Sequence, residues 1–402
     1  MRRGLPRPLR TAWLAPRAAG RGWIWLVERF NALGLSEQGI LFGFAAVIGA
    51  LGALGVVGFY AAIDLAYEWL YRLPGEFLSR ADFLAYRPML TASGLWIAWW
   101  IMRRLGRGHD GLNVPDVQLA VARRHGDIPT RPAVARTLAS AVTLGAGGSA
   151  GSEGPVAVLG AAIGSFVGKA FRFHPSRVTV LVGAGTAAGI SAAFNAPLAG
   201  AFFALEEILG SFAVVSFSPV VVASVIASVV VRAFYGNHPA FPIPMEYGFA
   251  LQRELLVFYP LLGVVVGLVA VLFVRTYFAT GSFVRRVPIP GWMLPLAGGL
   301  AVGGLVFLSQ GQLVGFGHLA FRLDVFGGMT WTALALLALG KILATSVTLN
   351  AGGSGGVFTP SLFVGAATGG AVGVALDALF PGLGLHPEAY ALVGMGAMAA
   401  AT

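Results

Sequence analysis

Cysteine is absent from the 402 residues of this chain, and charged residues are scarce. Without cysteine, the chain has no disulfide framework, thiolate nucleophile, iron–sulfur cluster or cysteine-ligated zinc site. Asp, Glu, Lys and Arg make up 11% of the residues, whereas an ordinary soluble protein has about 25%. This shortage of charge and the 57% hydrophobic content exclude a soluble globular domain. The composition predicts an all-α polytopic membrane protein in a lipid bilayer.

Motifs for nucleotide-driven or metal-dependent chemistry are also missing. The six histidines show no metal-ligand spacing, and the sequence contains neither an H-E-x-x-H motif nor a G-K-[ST] phosphate loop. We therefore expect no metal and no cofactor. Any energy source must be a gradient.

Basic residues are concentrated near the N-terminus. Six arginines precede the first acidic residue, Glu28, and a basic tail before a first span faces the cytoplasm by the positive-inside rule. Three further arginines that follow the second apolar run predict the same orientation: Arg103, Arg104 and Arg107. Because the basic residues flank apolar runs in this way, nucleic-acid binding is the weaker interpretation of the net positive charge. We expect a cytoplasmic tail over residues 1–38, followed by one transmembrane domain over residues 39–402.

Long uncharged runs alternate with interrupted ones. Residues 39–63 and 255–274 are long enough to cross a bilayer, and residues 88–102 form a helical pair with the first run. The runs at 178–205 and 208–231 lie in a region punctuated by prolines. Some helices of that region need not cross the whole bilayer.

An internal repeat divides the chain into two halves. Residues 147–164 align without gaps on residues 352–369, with half of the eighteen positions identical, and residues 182–191 resemble residues 393–402. Duplicated halves with broken helices are typical of transporters whose site lies at the bilayer midplane between the repeats. The alignment does not give the relative orientation of the halves. The first repeat is predicted over about 39–235, and the second, incomplete at its C-terminal end, over about 250–402.

The aligned glycine-rich segments predict an anion site. Pro155 and Pro360 each lie where a helix begins, and Pro115 and Pro197 fit the same pattern, because proline suits the first helical turn. Preceding glycines leave backbone N–H groups unobstructed, and a helix N-terminus attracts anions. The alternative is that the glycines only pack helices, as we expect at Gly160/Gly164 and Gly365/Gly369.

Glu153 favours the functional interpretation, because ionisable residues inside a membrane are rare and usually functional. Ionised, it could occupy the anion's place at a helix terminus; protonated, it would vacate that place.

Glu206 and Glu207 lie at the end of a later uncharged run. Because adjacent helical residues point about 100° apart, at most one of the two should face the interior of the protein. Lys341 could line an ion path, snorkel or pair, and stays unassigned.

An intramembrane serine protease is a remote alternative. Ser354 lies in a Gly-Gly-Ser-Gly segment that matches the G-x-S-G pattern of such enzymes. A serine nucleophile needs a histidine base within hydrogen-bond reach. The only later histidine, His386, lies in a segment flanked by proline and glycine, and we expect no enzyme.

These motifs together resemble the CLC family of chloride channels and chloride/proton antiporters. Gly-Ser-Glu-Gly-Pro at 151–155 resembles its G-[KR]-E-G-P motif, Gly-Val-Phe-Thr-Pro at 356–360 its G-x-F-x-P motif, and Gly-Leu-Asn-Val-Pro at 111–115 its G-S-G-I-P motif. The segment at 194–207 also matches the family. The resemblance implies a CLC-type fold of two inverted repeats with broken, partly non-spanning helices, assembled as a homodimer.

The resemblance also implies roles for individual residues. Glu153 corresponds to the gating glutamate that exchanges protons with the outside, and Glu207 to the internal proton acceptor. The implied function is transport of chloride or a similar anion by proton-coupled antiport, with a passive, glutamate-gated anion channel as the alternative. The expected anion-binding residues come from three segments: Leu112, Asn113, Gly151, Ser152, Gly154, Gly356, Val357 and Phe358.

Three of these residues depart from the family pattern. Leu112 replaces the serine expected to coordinate the central anion and Asn113 replaces the glycine that follows it, which bears on anion selectivity. Ser152 replaces the basic residue before the gating glutamate, which removes a nearby positive charge.

Overall fold

The computed structural model describes residues 37–77, 80–106, 112–237, 255–315, 328–383 and 385–402. These segments are almost entirely helical, as the composition predicts. Most of the expected N-terminal tail, together with Arg107 and Gly111, lies outside the described residues.

The first half of the chain contains nine α-helices in its described part, with two short π-helical turns at Glu68–Arg72 and Ala204–Ile208. The helices are α1 (Glu37–Tyr67), α2 (Leu73–Phe77), α3 (Arg80–Leu105), α4 (Val114–Arg123), α5 (Thr130–Gly145), α6 (Glu153–Ala170), α7 (Pro175–Phe194), α8 (Pro197–Phe203) and α9 (Val214–Tyr235).

The second half contains five α-helices in its described part, and the aligned segments make α13 equivalent to α6 and α14 equivalent to α7. The helices are α10 (Leu255–Arg286), α11 (Leu294–Leu308), α12 (Trp331–Asn350), α13 (Phe358–Leu379) and α14 (Pro387–Ala401).

Six helical segments in the described residues are long and apolar enough to cross a membrane, which agrees with the predicted polytopic membrane protein. Helix α11 is apolar but shorter. The six segments are Gln38–Phe77, Pro175–Phe194, Val214–Tyr235, Val257–Arg286, Trp331–Asn350 and Phe358–Leu379.

The long uncharged run at 178–205 is broken, as expected. Helix α7 ends at Phe194, and Asn195 adopts a left-handed conformation with φ of 51°. Asparagine tolerates this conformation better than most residues. Pro197 then opens α8, so the break has a local cause on each side.

Prolines open several of the helices, which confirms the predicted helix starts. Pro115, Pro155, Pro197 and Pro360 all lie in the first turn of their helices. The fixed φ of proline suits this turn, and its missing N–H costs no intrahelical hydrogen bond there.

Close glycine contacts join α6 to α7 and α13 to α14. A Cβ at Gly160 would collide with the carbonyl oxygen of Gly185, and a Cβ at Gly365 would collide with that of Gly394. Both contacts bring two helix backbones together, as small residues do in membrane proteins. The predicted packing role of Gly160 and Gly365 is therefore confirmed.

Candidate ion-binding site

Equivalent glycines of the two repeats pair in the loops that precede α6 and α13. The N–H of Gly151 donates to the carbonyl of Gly356 at 2.8 Å, and the N–H of Gly356 donates back to Gly151 at 2.7 Å. This pairing is antiparallel, so the equivalent segments run in opposite directions, as expected of inverted repeats. Helices α6 and α13 begin two residues later, and their N-termini meet at this junction.

Reciprocal side-chain bonds support the junction. The N–H of Ser149 donates to Thr348 Oγ1 at 3.1 Å, and at the equivalent positions the N–H of Ser354 donates to Thr143 Oγ1 at 3.0 Å. All four residues are buried. These bonds satisfy backbone donors inside the membrane domain, where no bulk water is present to do so.

Glu153 lies at the centre of this junction. Its side chain is only 5% exposed. One carboxylate oxygen, Oε2, accepts a hydrogen bond from the backbone N–H of Thr359 at 3.3 Å, and Oε1 accepts one from Ser152 Oγ at 3.3 Å. Thr359 is the second residue of α13, so a carboxylate from the first repeat occupies the helix N-terminus of the second repeat.

This position offsets part of the cost of burying a carboxylate. A buried charge needs hydrogen bonds and an opposite charge, and a helix N-terminus carries about half a positive charge. The arrangement is the one expected if the carboxylate occupies the place of an anion at a helix terminus.

Two glycines leave room for the Glu153 carboxylate. A Cβ at Gly151 would overlap Glu153 Oε2, and a Cβ at Gly356 would lie 3.3 Å from it. The third glycine that we expected at the anion site, Gly154, packs against the other repeat instead, since its Cβ would lie 3.4 Å from the Cα of Gly356.

Val357 and Phe358 lie at the start of α13 and are more accessible than the carboxylate. Val357 is the N-cap residue and Phe358 the first helical residue, and their side chains are 43% and 38% exposed. The first N–H groups of a helix have no intrahelical acceptor, so this end of α13 offers donors to an anion. The Phe358 ring also contacts Phe194 at the end of α7, with centroids 6.2 Å apart.

Leu112 and Asn113 precede α4 and differ in their surroundings. Leu112 is buried in an apolar cluster that includes Val117 and Val158, and its side chain has no hydrogen-bond donor. Asn113 is the N-cap residue of α4, and its N–H donates to Asp116 Oδ2 at 2.7 Å. Their expected contact with the anion stays a prediction.

Arg136 connects the first repeat to the loop before α13, and the sequence analysis did not identify it. Its side chain is buried. The same Nη2 donates to Asn113 Oδ1 and, at 2.8 Å, to the carbonyl of Gly355. A charged residue within the apolar sequence of α5 was the signal that could have revealed it.

Glu206 and Glu207 are both exposed and lie in the π-helical turn after α8. The expected helix from Pro197 ends at Phe203. Gln118 Nε2, on α4, donates to the carbonyl of Glu207 at 2.8 Å and to its Oε2 at 3.3 Å. Gln118 therefore fixes the Glu207 carboxylate, while the proton-transfer role of Glu207 stays a prediction.

Lys341 does not snorkel to an interface. Its side chain is fully buried, and Nζ donates to the carbonyls of Leu313 at 3.1 Å and Gly315 at 2.6 Å. Nζ also lies 5.4 Å from the centre of the Phe363 ring. The residue joins α12 to the turn after α11.

Ser354 has hydrogen-bond partners other than a histidine. Its hydroxyl lies 2.9 Å from the Ser140 hydroxyl and donates to the carbonyl of Arg136 at 3.4 Å. Neither partner is a base that could activate a nucleophile. Within the described part of the chain, no group of three or more acidic or histidine side chains is placed to hold a metal ion.

Comparison with known proteins finds a matching family model and relatives that are similar over most of the chain. A family model for the voltage gated chloride channel matches residues 94–402. The chain is 32% identical over 377 residues to a putative chloride channel protein ClcB-like from Ralstonia nicotianae, covering 90% of this chain and 85% of the relative. It is 31% identical over 394 residues to the H(+)/Cl(-) exchange transporter ClcA of Vibrio parahaemolyticus, covering 94% and 81%.

Two solved structures share the fold. A slow cyanobacterial Cl-/H+ antiporter matches with a TM-score of 0.76 and 23% identity, over 92% of this chain and 86% of the other. A CLC-type fluoride/proton antiporter matches with a TM-score of 0.70 and 24% identity, over 91% and 88%.

Proposed function

This chain belongs to the CLC family of voltage-gated chloride channels and chloride/proton antiporters, and we propose that it exchanges chloride or a similar small anion for protons across a membrane. The observation that carries the proposal is the position of Glu153 at the N-terminus of α13. The same helix end attracts a carboxylate and an inorganic anion.

The exchange couples the two ions through one residue. While Glu153 is ionised, its carboxylate occupies the N-terminus of α13 and excludes an anion from that place. Protonation removes the negative charge and with it the attraction to the helix dipole. The side chain then leaves, an anion binds the exposed N–H groups, and a proton and an anion use the same position alternately.

The positions of the other residues support the remaining roles that we propose. The backbone N–H groups of Val357 and Phe358 hold the anion, with Gly151, Gly154 and Gly356 leaving room for it. Glu207 exchanges protons with the inner solution, since it is exposed and held by Gln118. Leu112 contributes an apolar wall where the family pattern has a serine.

The biological unit that we propose is a homodimer in a bacterial inner membrane. In this arrangement each subunit has its own ion pathway, and residues 1–38 form the basic tail on the cytoplasmic side. The six helical segments that are long and apolar enough to cross a membrane support a multi-pass membrane protein.

A flux assay in liposomes tests the function. The purified protein is reconstituted, a chloride gradient is imposed, and the external pH is followed. Proton movement against its own gradient supports coupled exchange. Chloride flux without proton movement favours the passive channel and contradicts the role of Glu207. If chloride does not move but nitrate or fluoride does, the anion assignment is wrong and Leu112 becomes the residue to exchange for serine.

A further inference from the structure

Two loops of the first repeat form one continuous surface. They connect α4 to α5 over residues 124–129 and α6 to α7 over residues 171–174. Lys169 at the end of α6 joins them, because its Nζ lies 2.5 Å from Asp127 Oδ1 and donates to the carbonyl of Ile128 at 3.4 Å. The backbone N–H of Ile128 also donates to Ser165 Oγ on α6 at 3.0 Å.

This surface is strongly basic. The two loops contain one acidic residue, Asp127, whereas six lysines and arginines lie in or beside them with exposed or partly exposed side chains. A surface with such an excess of positive charge attracts anions. We call these six residues the basic patch: Arg123, Arg124, Arg131, Lys169, Arg172 and Arg177.

Aromatic contacts place the basic patch at one end of α1. The rings of Phe171 and Phe173 pack edge-on against Phe44, with centroids 4.7 and 4.9 Å away. Phe44 lies near the start of α1, whereas Tyr60 near its end donates to the carbonyl of Ala193 at the end of α7. In the orientation proposed above, the basic patch therefore lies at the cytoplasmic surface of the membrane.

An exposed apolar strip leads from the basic patch toward the middle of the membrane. Helices α1 and α6 contact each other here, since a Cβ at Gly55 would lie 3.1 Å from the Leu159 side chain. Leu51, two turns after Phe44 on α1, is 43% exposed, and Phe166 on α6 is 58% exposed. Phe166 lies three residues before Lys169 and thus on the same side of α6.

Arg172 has a backbone conformation that does not suit arginine. Its φ is 50°, in the left-handed region that glycine adopts readily and that disfavours other residues. The positive-inside rule accounts for basic residues in cytoplasmic loops, but it does not account for a cation at a position that favours glycine. An outlier of this kind points to a role for the side chain.

We propose that this surface binds an anionic phospholipid of the cytoplasmic leaflet. The phosphate lies at Lys169 and Arg172, and an acyl chain follows Leu51 and Phe166. Basic residues next to apolar helix surface match the two parts of such a lipid. Lys169 can still donate to the phosphate, because an ammonium group has three donors and the contacts to Asp127 and Ile128 use two of them.

Charge complementarity favours a lipid over the N-terminal tail as the occupant. The tail carries six arginines before its first acidic residue, Glu28, so it has the same sign as the basic patch. A lipid phosphate has the opposite sign. The proposal uses the orientation given above, but it does not depend on ion exchange.

The test adds lipid to the purified full chain in detergent. Phosphatidylglycerol should raise the melting temperature more than phosphatidylcholine with the same acyl chains, because only its headgroup carries a net negative charge. Native mass spectrometry measures the affinity of the bound lipid. Lys169→Gln combined with Arg172→Gln should weaken phosphatidylglycerol binding about tenfold or more.

Two comparisons separate the charge of the patch from other effects. Arg172→Gly removes the cation at a backbone conformation that suits glycine, so it should weaken phosphatidylglycerol binding, whereas Arg172→Lys should retain most of it. The control combines Arg103→Gln with Arg104→Gln. These arginines lie over the Trp99 and Trp100 rings of α3, at 5.2 and 5.8 Å, and their loss should leave the lipid affinity unchanged.

The lipid site is wrong if the two phospholipids stabilise the protein equally, if inorganic phosphate alone stabilises it as much as phosphatidylglycerol, or if both double variants lose the same affinity. Slower chloride flux of the Lys169/Arg172 double variant in phosphatidylcholine liposomes would also overturn it, because the patch would then attract chloride. Absence of chloride-driven proton movement in the wild type is a separate outcome that overturns the proposed function alone.

Discussion

The carboxylate of Glu153 accepts a hydrogen bond from the N–H of Thr359 at 3.3 Å, across 206 positions of the chain. The carboxylate belongs to the first repeat and the helix N-terminus to the second. Neither half of the chain contains both parts. The ion site is therefore a property of the junction between the repeats, which Gly151 and Gly356 hold together by two backbone hydrogen bonds.

Glu153→Gln should abolish proton coupling and leave some anion movement. Glutamine has nearly the same shape as glutamate, but it carries no charge to hold it at the N-terminus of α13 and does not take up a proton. The measurement is external pH and chloride in liposomes under a chloride gradient. Normal proton transport in this variant would contradict the gating role of Glu153.

Glu207→Gln should reduce proton movement and preserve anion movement, because the proposed inner exchange group can no longer ionise. Glu206→Gln is the matched control, since Glu206 is the adjacent exposed carboxylate in the same π-helical turn. Proton and chloride fluxes are measured together. Equal effects of the two substitutions would remove the special role of Glu207.

Gly151→Ala should displace the Glu153 carboxylate, because the added Cβ would overlap Glu153 Oε2. We expect a chloride leak with weakened coupling, since the carboxylate no longer occupies the N-terminus of α13. Gly58→Ala is the control, as no atom lies within 4 Å of its added Cβ. Coupled transport at the wild-type rate in Gly151→Ala would show that the carboxylate has more room than the structure gives it.

Arg136→Met should weaken chloride binding and destabilise the fold. The loss of the guanidinium leaves the oxygens of Asn113 and Gly355 without their donor, at about 1–3 kcal/mol for each buried acceptor that stays unpaired. Isothermal titration with chloride and thermal melting in detergent measure the two effects. Arg136→Lys keeps the positive charge and should recover part of the chloride binding. Equal chloride affinity in Arg136→Lys and Arg136→Met would contradict an electrostatic contribution of Arg136 to that binding.

Gly160→Ala should lower the melting temperature, since the new methyl group would collide with the Gly185 carbonyl where α6 and α7 cross. Overpacking of this kind costs about 1–3 kcal/mol. The comparison is Gly267→Ala on α10, which has open space around its added Cβ. Melting in detergent checks the prediction, and equal temperatures for the two variants would contradict the close helix contact.

Local sequence features predicted much of the fold. Prolines such as Pro155 and Pro360 marked helix starts, since their effect on the backbone is confined to one turn. Small residues such as Gly160 and Gly365 marked close helix contacts, because a small side chain lets two helix backbones approach each other. The environment of charged side chains was harder to predict: Lys341 bonds to two carbonyls of a distant turn, and Arg136 bonds across repeats.

Composition and short motifs were sufficient to predict the membrane class, the duplication, the helix starts and the family to which the motifs point. The orientation of the repeats and the contacts at their helix ends depend on tertiary packing. The antiparallel pairing of Gly151 with Gly356 and the contact of Glu153 with Thr359 both join distant parts of the chain. Such contacts depend on how the helices pack in space, which no local pattern records.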